Sequence, residues 1–444
     1  MFDLLWLALA IALIVVLILW VKLHPAISLI IGTLALGFAL GMPVLDIATT
    51  MTEGFGGLMT SLGLSVGFGI ILGQLMSDSG GAKVIARTIV GLTTDRFAVY
   101  GIAFAAFVLA IPVFFDVTFV ILVPLAIAIA REAKKPLPLM IGAVAMGAGT
   151  AHTLVPPTPN PLAAGDILGF SVGYMVAVGG LVGLVAVIAG VSAYSIILPK
   201  LWRPEMDIAE EPSLQTVPGE DKNPNFFLAL LPIVTPLLLI LMKTIWGAAS
   251  GENVPLAVSF LGDKTVALLI GTLVAYLVAS RDLTRGEMET AANKAIESAG
   301  IVLLITGAGG AFGAIIKAGG VSDLIAESVV GLGGGHFVAL LACYFVGMSF
   351  RVAVGSGTVA SITTMTIFAS LAPTIGVHPV WVAMACLGGA LSIGHINDSG
   401  FWVTAKIPGF SITGGLKVYT LPQFIASLVV IILTIIGSYV LPMA

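Results

Sequence analysis

The chain has 444 residues, 58% of them hydrophobic and only 9% charged, with a formal net charge of −4 and a mean hydropathy of +1.12. A soluble domain carries about 25% charged residues, so this composition cannot cover a water-exposed surface. It excludes a soluble enzyme, a nucleic-acid binder and a disordered chain, and it predicts an all-α integral membrane protein with on the order of ten spans of about 20 residues in the lipid bilayer.

Residues 4–21 form the first apolar run. Asp3 stands where a signal peptide has basic residues, and no small-residue cleavage pattern follows, so the run reads as a retained helix. A second run covers about 25–40, and residues 1–54 are expected to be N-terminal scaffold helices. A third run, about 55–76, ends in Ser77-Asp78-Ser79-Gly80-Gly81. Lys83 and Arg87, four apart on the short segment that follows, read as a solvated interfacial face.

Residues 97–130 are apolar but notched at Pro112, Asp116 and Pro124, with Arg96 at one end and Arg131, Lys134 and Lys135 at the other. Cytoplasmic loops collect Lys and Arg, so a single span would leave one cluster on the wrong side. A re-entrant hairpin with its tip near 115–118 resolves this. Two ordinary spans are the alternative, but arms of about 15–18 residues are short for that. A broken helix is predicted over about 137–168, because four prolines fall within residues 156–161. A span over about 173–198 completes a first repeat, 55–198.

Residues 199–224 are a polar, Pro-rich cytoplasmic linker carrying Lys200, Arg203 and Lys222. Scaffold helices are expected over 225–285, ending in a basic loop from Arg281 to Arg285. Cys343 and Cys386 both lie in apolar runs and read as small buried hydrophobes rather than a disulfide or metal pair. No metal or cofactor is expected. The 53 glycines and 23 prolines point to closely packed or interrupted helices. Thr306 to Gly313 is Gly-rich but follows no strand, so it suits helix packing and not a nucleotide.

The segment ending in Gly80-Gly81 has an echo ending in Gly319-Gly320, an offset of 239 residues. That offset carries Asp116 onto Gly355 and Thr118 onto Gly357, inside a second notched run (about 337–370). With slight drift it carries His152 near His395, at the start of a second interrupted span (about 380–415). Residues 286–444 therefore read as a second repeat. About fifteen of the 19 Lys and Arg residues thread to the cytoplasm, leaving Lys243, Lys264, Lys317 and Arg351. This puts the N-terminus outside, with the two hairpins opening to opposite sides. Inverted repeats with paired broken helices are a transporter pattern, with the site between them near the bilayer midplane.

Broken helices and hairpin tips leave backbone groups unpaired. These are tolerated at membrane depth only in protein or beside a polar cavity, and half-helix N-termini suit a carboxylate. The side chains there are Asp116, Thr118, His152, Thr153, Thr158, Asn160, Ser356, Thr358, His395, Asn397, Asp398 and Ser399, with Gly357 among them. This inventory of hydroxyls, amides and a few ionisable groups suits a small polyhydroxylated or hydroxy-acid anion. Asp116 and Asp398 read as proton sites or as structural anions capping half-helices. His152 and His395 bind substrate, relay protons or pack as hydrogen-bonded histidines. Arg351 pairs with a substrate carboxylate, pairs with a structural acid or backbone carbonyls, or snorkels to the interface.

The runs His395-Ile396-Asn397-Asp398-Ser399-Gly400-Phe401-Trp402 and Arg351-Val352-Ala353-Val354-Gly355-Ser356-Gly357-Thr358-Val359-Ala360 resemble the gluconate permease family. So does His152 followed by Pro156-Pro157-Thr158-Pro159. Lys22, His24-Pro25 and Gly80-Gly81 extend the resemblance to nearly the whole chain. It implies a proton-coupled transporter of sugar acids within the ion-transporter superfamily of elevator carriers. The expected function is import of a gluconate-like hydroxylated monocarboxylate by a homodimer in the bacterial inner membrane. Protons would be carried among Asp116, His152, His395 and Asp398. The alternative is a proton- or sodium-coupled carrier of hydroxybutyrate, glycerate or a D-amino acid. The family pattern has a glutamate where this chain has Asp116, and often a histidine where it has Thr158, both at assigned site positions. An intramembrane metalloprotease is disfavoured by the lack of a His-Glu-x-x-His helix, and a channel would need a continuous pore.

Overall fold

A computed structural model describes residues 2–209, 224–250, 253–331 and 335–442. Among these residues every regular element is helical, and an isolated antiparallel bridge joins Ile208 to Phe410. The first half contains α1 (Phe2–Leu19), α2 (Pro25–Ala39), α3 (Val44–Asp78), α4 (Gly81–Gly91), α5 (Ala98–Leu109), α6 (Phe115–Glu132), α7 (Leu137–Leu154) and α8 (Pro159–Leu168). It closes with α9 (Val172–Leu201), which carries a π-turn at Met175–Gly179. A short α10 (Pro204–Asp207) follows.

After residue 224 come α11 (Phe226–Ser250), α12 (Leu256–Leu261), α13 (Lys264–Ala279), α14 (Arg285–Ala318), α15 (Val321–Gly331), α16 (Gly335–Val354), α17 (Gly357–Ile367), α18 (Leu371–Ile375), α19 (Pro379–Leu391) and α20 (Ser399–Lys406). The last is α21 (Ile412–Val440), with a second π-turn at Leu416–Thr420. Seven of the described helical stretches are long and apolar enough to cross a membrane, or eight if the pair from Gly81 to Leu109, bent by 118°, is one span. The chain is a multi-pass membrane protein.

Local chemistry sets the starts and stops. Thr284 and Glu287 close a capping box at the head of α14. Asp263 accepts from Thr265 N and Val266 N at α13, and Ser356 accepts from Val359 N at α17. The two longest helices, α3 and α14, pack along each other where neither has a side chain. A Cβ on Gly54 would lie 2.6 Å from the Gly310 carbonyl oxygen, and one on Gly310 would lie 2.6 Å from that of Gly54. The span α7–α8 is almost wholly buried, whereas α11 is mostly exposed on the single chain. The centre of the molecule is thus the proline-interrupted segment.

Both predicted interruptions exist, slightly displaced. The first break is 155–158, so His152 sits in the last turn of α7 rather than in the gap. The second is 392–398, with His395 inside it and Asp398 as the N-cap of α20. In the first notched run the helices part at 110–114, just before the expected tip. Within the two Gly-Gly pairs, the left-handed residues are Gly80 (φ 79°) and Gly320 (φ 71°). They are 240 residues apart, one more than the pairing read from the sequence. Of the predicted linker, 199–201 belongs to α9 and 204–207 to α10. Lys222 lies outside the described residues.

Candidate functional site

The second break closes on a buried charge cluster. Asp398 caps α20 by accepting from Gly400 N at 2.8 Å through Oδ1. Its Oδ2 forms an ion pair with Arg351 Nη2 from α16 and accepts from the Tyr419 hydroxyl at 2.6 Å. Arg351 Nη2 also donates to the Tyr419 oxygen at 2.9 Å, and Nη1 donates to the Gly355 carbonyl at 3.3 Å. All three side chains are buried. Tyr419 reaches them from the π-turn in α21, a local rewinding common at functional sites. A Cβ on Gly394 would sit 2.4 Å from Arg351 Nη2 and 2.9 Å from Asp398 Oδ2, so this position must be glycine for the cluster to close.

The tip before α6 meets this cluster. The Phe115 and Tyr419 rings lie 5.6 Å apart, and the Phe114 ring lies 5.6 Å from that of His152. Asp116, in the first turn of α6, is within electrostatic reach of Asp398, and His152 of Arg351. On the other side His395 Nε2 and Asn397 Nδ2 contact the Val352 carbonyl at 3.0 and 2.9 Å. Gly355, at φ 75°, abuts Asn397 so closely that a Cβ would lie 2.4 Å from its carbonyl oxygen. The structure thus gathers Arg351, His395, Asn397 and Asp398 at the second break, with Asp116 and His152 within electrostatic reach.

Three buried polar atoms at this cluster have no protein partner, His152 Nδ1, Arg351 Nε and Asn397 Oδ1, and a further one, Asn160 Oδ1, lies in the first turn of α8. A buried polar atom left unsatisfied costs about 1–3 kcal/mol, so a ligand able to reach them gains correspondingly. Arg351 itself is only 5% exposed. Replacing a buried ion pair with apolar groups is often neutral or stabilising, so stability alone does not account for this one.

Other predicted residues have different work. The Thr153 hydroxyl donates to Gly149 O at 2.8 Å within α7. That of Thr158 donates to Val155 O at 2.8 Å across the first break. Thr118 donates weakly to Val113 O at 3.5 Å. Ser356 and Gly357 open α17, Gly357 lying against the Arg351 guanidinium, while Thr358 is half-buried and Ser399 is exposed in the first turn of α20. Tyr419 was not legible as a site residue, since a phenol within an apolar run carries no signal of its own.

Lys83 and Arg87 are half-buried and exposed, respectively. With Asp78, Glu287 and Lys294 they line a cavity of about 1300 Å³ that reaches Asp116. Gly169-Phe170-Ser171-Val172-Gly173 has the spacing of a nucleophile elbow. It follows a helix and not a strand, and the Ser171 hydroxyl is shared with Thr244 at 3.1 Å. Among the described residues no group of three or more His, Cys, Asp and Glu side chains could hold a metal ion.

The chain matches the family described as GntP family permease over residues 2–440. It is 33% identical to a gluconate permease of Pseudomonas aeruginosa, covering 96% of this chain and 95% of that one. It is 31% identical to the D-serine transporter DsdX of Escherichia coli, covering 98% of each. Its structure is similar to that of the Alcanivorax borkumensis YdaH transporter, with a TM-score of 0.67 at 15% identity, covering 95% of this chain and 100% of that one. At that identity the likeness concerns the fold.

Proposed function

We infer the function from one premise: this chain belongs to the GntP permease family, and is therefore a transporter and not an enzyme. We propose that it imports a small hydroxylated monocarboxylate of the gluconate kind, together with protons, across the bacterial inner membrane. The observation that carries this reading is the buried Arg351, held beside Asp398 with its own Nε unpartnered, and with the unpartnered His152 Nδ1 and Asn397 Oδ1 on the neighbouring segments. A guanidinium at membrane depth matches a carboxylate, and the amides match hydroxyls.

A second reading is a zwitterion such as D-serine. Asp116, a further carboxyl within electrostatic reach of Asp398, favours it by offering a partner for an ammonium group, and the D-serine relative is consistent with it.

We also propose that the two halves are inverted repeats, that they move as an elevator against a scaffold formed by residues 1–54 and 225–285, that the N-terminus lies outside, and that the protein is a homodimer. Matching elements support the repeat. Helices α4 and α15 both have 11 residues and start 240 apart, at 81 and 321. The π-turns both have five residues and start 241 apart, at 175 and 416. The Lys and Arg distribution supports the orientation.

The test is uptake into proteoliposomes of labelled D-gluconate and D-serine under imposed pH and sodium gradients. Gluconate accumulation driven by an inward proton gradient is expected, and abolished in Asp116→Asn. Accumulation that follows sodium and ignores the pH gradient removes the proton. Uptake of D-serine alone selects the second reading.

A further inference from the structure

We propose that Asp398 occupies the substrate's own seat on Arg351, so that loading is an exchange in which an incoming carboxylate takes the guanidinium and Asp398 takes up one proton. This rests on the carboxylate-carrier reading above. The geometry of the guanidinium points to it. The edge formed by Nε and Nη2 is the fork that a carboxylate grips with both oxygens. Asp398 Oδ2 pairs with Nη2, and the buried Nε has no hydrogen-bond partner in the protein. Its other oxygen, Oδ1, is turned away to cap Gly400 N. The native pair thus fills half of a two-point site.

Charge forces the proton into the exchange. Adding an anion to a closed site that already holds one acid–base pair leaves an unpaired buried carboxylate, which costs several kcal/mol. A carboxylate stripped of its partner neutralises instead. The balance is one carboxylate and one proton in, with Arg351 cationic throughout and no other bond made or broken. The Tyr419 hydroxyl, already at 2.6 Å from Asp398 Oδ2, keeps the released carboxyl in place. The proton enters by way of the cavity that Asp116 helps to line. The titratable groups around the pair are Tyr419 from α21, in direct contact, Asp116 from α6 and His152 from α7, within electrostatic reach, and His395 from the break itself, which contacts the Val352 carbonyl.

The first test needs no knowledge of the cargo. Purified protein is melted with increasing sodium formate, at constant ionic strength made up with chloride. Asp398→Asn should gain a saturable rise in melting temperature, and Asp398→Asn/Arg351→Met should gain none. Wild type should be unmoved at about pH 8 and should acquire the response as pH falls toward about 5, where simple carboxylic acids remain ionised. The wild-type arm serves if the variants fail to fold. A single variant blind to formate, a double variant that responds equally, or a wild-type response independent of pH overturns the exchange.

The second test follows proton uptake in weak buffer on adding D-gluconate or D-serine. About one proton per molecule bound is expected in wild type and none in Asp398→Asn. Tight binding without proton uptake sinks the exchange and leaves the carrier intact. A formate response with neither compound bound sinks the substrate assignment and leaves the exchange.

Discussion

Asn160 and Thr153 were equal candidates by composition, and the structure separates them. Asn160 is 1% exposed with an unpartnered oxygen, whereas the Thr153 hydroxyl is satisfied inside its own helix. Asn160→Leu, of similar size, should leave the melting temperature unchanged or higher, because it removes an orphan worth about 1–3 kcal/mol. It should cut the initial uptake rate at low substrate by at least about tenfold. Thr153→Val should leave uptake intact and cost at most about 1 kcal/mol. The opposite pattern would exchange their roles.

A second residue lies outside the membrane segments. Asp207 is buried; burial alone would raise its carboxyl, but bonds from Lys417 Nζ, the Arg203 amide and Thr413 outweigh that and hold it below the usual carboxylate value. A depressed acid contributes stability that is full above its unfolded value and lost as pH falls through the folded one. The melting-temperature deficit of Asp207→Asn should therefore be complete at about pH 7 and shrink below about pH 4. Arg351 and Asp398 were legible because charge is so scarce in this chain. Tyr419 was not, because it depends on a π-turn that no short-range pattern announces.

At the level of elements, both interrupted helices could be read in advance, one from its prolines and the other from the polar run His395 to Ser399. Proline removes a backbone donor and clashes with the preceding turn whatever the surroundings. The cavity beside α4 could not be read. Lys83 and Arg87 suit water, but the distant residues that share their cavity, Glu287 and Lys294, are brought there only by the fold. The crossing of α3 and α14 was visible only as a surplus of glycine, and its partners had to come from the fold. At Gly310 an added Cβ would meet the Gly54 carbonyl at 2.6 Å and Leu58 Cδ1 at 2.8 Å, while at Gly57 it would meet nothing within 4 Å. Gly310→Val should therefore destabilise by at least about 1–3 kcal/mol through overpacking. Gly57→Ala should be neutral or stabilise by about 0.5–1 kcal/mol through helix propensity. Thermal melting in detergent compares the two, and equal losses would mean that the crossing is looser than its geometry.

For the whole molecule the open question is whether the segment carrying the breaks slides past the scaffold. Ser171 at the head of α9 and Thr244 on α11 touch through their hydroxyls at 3.1 Å, and Asp166 of α8 is paired with Lys264 of α13. In an elevator both contacts part in every cycle; if only side chains rearranged, neither need do so. Ser171→Cys with Thr244→Cys converts the first contact into a disulfide, since residues whose γ atoms already touch fall within reach of that bond. Cys343 and Cys386 are buried and are replaced by alanine so that only the new pair reacts. Oxidation should reduce uptake to background and a reductant should restore it. Gluconate should still raise the melting temperature of the oxidised protein, because the lock holds one end-state without touching Arg351 or Asp398. Each single-cysteine variant should ignore the oxidant. Full uptake with the disulfide quantitatively formed would mean that α9 and α11 move as one body, and the transport step would then have to be sought within the cluster around Arg351.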